Sequence, residues 1–103
     1  MPSRSRSRKS ATGKLHSFYM FEAIFPLNMD LKYYKNKVKS TAKNYGIVLR
    51  GNGMASHYGE HDNVLLGIVK AKSINDVNQW LKSNKFLTKT NVRHMSKKDA
   101  KWI

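Results

Sequence analysis

The spacing of apolar positions changes along the chain, and the changes mark out its elements. Leu15 to Phe25 (LHSFYMFEAIF) is a dense β-prone run that Pro26 ends. At a two-residue period Tyr19, Phe21, Ala23 and Phe25 share one face, and Phe18, Met20 and Ile24 share the other. Apolar residues on both faces predict a central strand, either covered on both sides or offering aromatics to a ligand. From Asn28 to Tyr45 the period becomes helical, with Leu31, Tyr34, Val38, Ala42 and Tyr45 on one seam. Asn28 or Asp30 can cap its start, and Gly46 supplies its stop.

Ile47 to Arg50 reads as a short strand. Gly51 to Asp62, with three glycines and two histidines, reads as a loop. Asn63 to Lys72 is a second long strand, in which Gly67 marks a bulge or a close backbone approach. Ser73-Ile74-Asn75-Asp76 resembles a capping box, and the helix it opens is expected to bury Ile74, Val77, Trp80 and Leu81 before ending at Lys82. Phe86 to Arg93 reads as a last strand. Ser96 to Asp99 opens a short terminal helix or tail.

The order β-α-β-β-α-β predicts an α+β fold, a ferredoxin-like sandwich with two helices on one face of an antiparallel sheet. This single domain spans residues 15–103. Residues 1–14 hold Arg4, Arg6, Arg8, Lys9 and Lys14 with no acid and no aromatic, which predicts a disordered Arg/Ser-rich basic tail. In it Arg4, Arg6 and Arg8 alternate with Ser3, Ser5 and Ser7, so serine phosphorylation would cancel its charge. No apolar core follows the basic stretch, so it is not a secretory signal. It reads as a nucleic-acid-binding arm, a nuclear address or the start of a transit peptide, on a chain expected inside the cell.

Charge sharpens the functional reading. Among 103 residues, 20 Lys and Arg face 6 Asp and Glu, a net charge of +14. Such an excess repels itself in the compact state and points to a polyanionic partner, with RNA or DNA first because neutralised phosphates release counterions. The absence of cysteine excludes disulfides and thiolate chemistry. No run approaches the roughly 18 apolar residues of a membrane span.

Within the domain, Lys32, Lys39 and Lys43 fall within about 40° of one another on the first helix, and Lys35 lies between them and the apolar seam. No glutamate is interspersed among them, which favours a stripe facing phosphates over an ordinary solvated face. Arg50 and the strand-end pair Lys70 and Lys72 extend the cationic set. Tyr19 is the expected base-stacking platform, because its hydroxyl tolerates water. His57 and His61, beside Glu60 and Asp62, are the candidate metal ligands, although no third ligand is evident. No catalytic constellation and no cofactor motif emerges, so the reading is of a non-enzymatic nucleic-acid-binding protein acting mainly through phosphate contacts, with the aromatic sheet and the Arg-Ser tail favouring RNA and single strands. The alternatives are a DNA-binding or metal-dependent nuclease domain and a basic structural subunit of a ribonucleoprotein or viral assembly. The edges of so small a sheet also permit a homodimer.

The topology suits an RNA recognition motif, but Leu65-Leu66-Gly67-Ile68-Val69-Lys70-Ala71-Lys72 lacks every aromatic of that motif's third-strand signature. Residues 18–26 and 63–103 resemble the N-terminal domain of Rep proteins, which initiate rolling-circle replication in small circular single-stranded DNA viruses. Leu65-Leu66-Gly67-Ile68 takes the place of the family's His strand, Ser73 to Leu81 that of the following helix, and Lys98 to Trp102 that of the terminal helix. Val64 stands where the family has its metal-binding His, and Trp102 about where it has its nicking Tyr. The resemblance implies the fold and DNA contact, and no nicking.

Overall fold

A computed structural model describes residues 17–96. The elements run β1 (Ser17–Pro26), α1 (Leu31–Thr41) with a 3-10 turn (Ala42–Tyr45), β2 (Val48–Tyr58), β3 (Asp62–Ala71), α2 (Ile74–Ser83) and β4 (Lys89–Met95). The strands form one antiparallel sheet in the order β2-β3-β1-β4, so β1 and β3 are central. This is the expected ferredoxin-like α+β arrangement. The Arg/Ser tail and the segment after Ser96 lie outside the described residues, and with them Arg4, Arg6, Arg8, Lys9 and Trp102.

Both helices start on the caps read from the sequence. The Asp30 carboxylate accepts the Tyr33 N–H at 2.9 Å, and the Ser73 hydroxyl accepts the Asp76 N–H at 3.2 Å. Gly46 ends the 3-10 turn at φ 71°, a left-handed conformation open to glycine at little steric cost.

The helices cover one face of the sheet. Tyr19, Phe21, Ala23 and Phe25 point into this layer and are buried, with Val38 of α1 and Val77, Trp80 and Leu81 of α2. The Phe21 and Trp80 rings meet edge to face at 5.1 Å. The Trp80 indole N–H donates to the Val38 carbonyl at 3.0 Å and to the Thr41 hydroxyl at 3.1 Å. The Asn84 amide donates to the same hydroxyl at 3.1 Å, which closes a polar link between the helices. Asn63, fully buried, donates to the carbonyls of Pro26 and Met29 at 3.0 and 2.9 Å and fixes the entry to α1.

Three expectations are corrected, and one is settled between its two alternatives. Gly51 to Asp62 is not a loop: β2 continues to Tyr58, and the glycines serve an irregular strand and the turn after it. Between the pairs Leu49–Val69 and Met54–Gly67, residues 50–53 of β2 stand against Ile68 alone, so the bulge lies on β2 and not at Gly67. Gly67 instead marks a close approach, because a Cβ there would stand 2.6 Å from the Phe21 ring. Ile74 is 42% exposed rather than buried, because it sits at the very start of α2. The last strand begins at Lys89 rather than Phe86, whose ring packs edge-on against Phe25 instead.

Candidate nucleic-acid interface

The face of the sheet opposite the helices carries no covering element among the described residues. Antiparallel partners project to the same side, so the register fixes what this face presents. Across its width run Val48, Lys70, Phe18 and Met95 in one row, and Ile68, Met20 and Arg93 in the next. Ala55, Leu66, Glu22 and Asn91 form a third row, and His57, Val64, Ile24 and Lys89 a fourth. The centre is therefore apolar and half-buried, with cations toward its margins.

Two contacts shape this surface. Arg50 leaves the irregular stretch of β2 and reaches over β3, placing its guanidinium carbon 5.1 Å from the centroid of the Phe18 ring. From the other side the Arg93 guanidinium donates toward the Met20 sulfur at 3.5 Å. Two hollows flank Met20. One, of about 380 Å³, lies beside the β2 irregularity and is lined by Arg50, Ile68 and Leu66 among others. The second, of about 250 Å³, is lined by Met20, Leu66, Glu22, Asn91 and Arg93, with Phe21 beneath.

The cations here are not consumed by internal pairing. Among the described residues the ion pair present is His61 with Glu60 at 3.8 Å, both strongly exposed, and no lysine or arginine pairs with a carboxylate.

The sequence-predicted residues separate onto different surfaces. Arg50 and Lys70 stand on the open sheet face, and Lys72 is exposed just past the end of β3. Lys32, Lys39 and Lys43 are exposed and Lys35 half-buried, but all four belong to the helical layer on the far side of the sheet. Tyr19 is not a platform. It is 6% exposed on the helix-covered face, its ring edge-on to His94 at 5.4 Å. Its strand neighbour Phe18 is the aromatic that the open face presents. His57 lies on that face opposite Val64, whereas His61 sits in the turn after β2. Among the described residues no three His, Asp or Glu side chains gather as metal ligands would.

Sequence reasoning missed Phe18, Met20, Glu22, Asn91 and Arg93. The alternation identified Phe18 and Met20 as sharing a face, and only the position of the helices tells which face is open. It also missed Lys82, Lys85 and Lys89, which line a third hollow of about 370 Å³ beside β4.

No protein-family model and no curated protein matches the chain. Among solved structures, the C-terminal domain of the MgtC protein from Mycobacterium tuberculosis is similar over 88% of this chain and 96% of its own, with a TM-score of 0.61 and 9% identity. PH0061 aligns over 91% of this chain and 61% of its own, with a TM-score of 0.44 and 13% identity. The likeness to the MgtC domain is one of fold. Among the described residues no helix is long and apolar enough to cross a membrane.

Proposed function

We propose that this protein binds single-stranded nucleic acid on the open face of its sheet, as a binding module with no chemistry of its own. The observation that carries the reading is Arg50 held over Phe18 beside an apolar centre, with Lys70 and Arg93 around it and paired with no carboxylate among the described residues. A single strand offers both things this surface matches: unstacked bases for the apolar centre and phosphates for the cations. A duplex keeps its base faces stacked away and would meet the cations alone. The net charge of +14 favours the same class of partner. The Rep-type resemblance points in the same direction, toward single-stranded DNA. The lysines of α1, on the opposite surface, supply long-range attraction rather than the seat of the strand.

The test is fluorescence anisotropy with a single-stranded RNA, a single-stranded DNA and a duplex, each over a salt series. Tighter binding of either single strand than of the duplex is the expected result, with Arg50→Gln and Lys70→Gln weakening it. Absence of binding near physiological salt, or equal affinity for all three, refutes the proposal.

A further inference from the structure

Glu22 is the carboxylate within the sheet face, in the same row as Asn91 and Leu66, whereas Asp62, on the same side by register, stands at the end of β3 opposite Pro26. It is exposed, and it makes no ion pair or hydrogen bond among the described residues. On a face read as binding phosphates, such a charge works against general affinity. It stands, however, at the hollow of about 250 Å³ that it lines with Asn91, Arg93 and Met20, toward the middle of the apolar floor where a base would lie.

We infer that Glu22 and Asn91 together select guanine in the bound strand. This inference rests on the proposed role of the sheet face. A carboxylate accepts hydrogen bonds and donates none, and its two oxygens suit two adjacent donors. The Watson–Crick edge of guanine presents two adjacent donors, N1–H and the N2 amino group, followed by the O6 acceptor. Glu22 accepts from the two donors, and the Asn91 amide beside it donates to O6. Cytosine and adenine each set a single amino donor beside an acceptor. Uracil and thymine place one N–H between two carbonyls. Each of these edges would turn at least one lone pair toward the carboxylate, which costs affinity. Arg93, in the neighbouring row, remains available for the adjoining phosphate.

The experiment uses the full chain and three fluorescent octamers: all thymidine, the same with one central guanine, and the same with inosine in its place. Inosine lacks only the N2 amino group. The guanine octamer is expected to bind roughly fivefold to a hundredfold more tightly than the thymidine octamer, with inosine between them. Glu22→Gln is expected to weaken guanine binding while strengthening thymidine binding, because the repulsion of phosphate is removed. Asn91→Ala is expected to narrow the guanine preference. If the thymidine octamer binds and guanine adds nothing, the selectivity is overturned and the face still stands. If Glu22→Gln strengthens all three octamers alike, the carboxylate merely repels and the inference is wrong. If no octamer binds, the reading of the face fails and takes this inference with it.

Discussion

Arg50 and Phe18 lie on strands that are not neighbours, yet the guanidinium carbon stands 5.1 Å from the ring centroid, across β3. A cation above an aromatic ring can hand one ring face to a base while keeping a charge beside it. Phe18→Ala is therefore expected to weaken single-strand binding by about 1–3 kcal/mol. Tyr19→Phe, one residue away in the helix-covered layer, is expected to leave affinity within twofold. Anisotropy titrations of the two variants compare the faces directly.

Salt dependence separates the two basic surfaces. Each phosphate contact removed lowers the slope of log K against log salt by about one unit. Arg50→Gln, Lys70→Gln and Arg93→Gln are each expected to do so with a short single strand. The triple replacement of Lys32, Lys39 and Lys43 by Gln is expected to lower that slope less than any one of these does. The reverse pattern would move the binding surface to α1.

The core has a tight point at Gly67. A Cβ there would come 2.6 Å and 2.9 Å from two atoms of the Phe21 ring and 3.3 Å from the Gly53 carbonyl oxygen. Phe21 is fully buried against Trp80 and has nowhere to retreat. Gly67→Ala is expected to destabilise the fold by about 1–3 kcal/mol, read from the urea midpoint at unchanged m-value.

The helical layer depends on one hydroxyl. Thr41 Oγ1 accepts from the Trp80 indole at 3.1 Å and from the Asn84 amide at 3.1 Å, and donates to the Val38 carbonyl at 3.0 Å. Thr41→Val keeps the shape and removes all three bonds, so a loss of about 1–3 kcal/mol is expected in the same denaturation experiment. Binding per folded molecule should not change, since Thr41 lies beneath the opposite face.

The local parts of this structure were legible in the sequence because local chemistry determines them. Asp30 and Ser73 cap the helices through their own side chains, and Leu31, Val38 and Ala42 occupy the inner seam of the first helix. The element order then led to the sheet topology. The region from Gly51 to Asp62 misled because glycine is a turn signal, whereas here Gly51 and Gly53 lie within a strand that departs from regular register. The binding face was harder still. Alternation separates Phe18, Met20 and Ile24 from Tyr19, Phe21 and Ala23, but both sets are apolar. Which set is covered depends on where two helices distant in sequence pack. The approach of Arg50 to Phe18 depends on the register of three strands together, which no short stretch of sequence encodes.

The central position of β1 also bears on how the chain is made. Its hydrogen-bonded partners are β3 and β4, so β1, the earliest of the four described strands, has neither neighbour until the chain has passed Asp62. At 5–20 residues per second, that delay is roughly two to seven seconds on the ribosome. Throughout it a ten-residue strand, apolar on both faces and with Glu22 as its only charge, waits unpaired. The yield of folded protein is therefore expected to vary with the pace of translation through β2, and with any chaperone that shields that strand until its partners arrive.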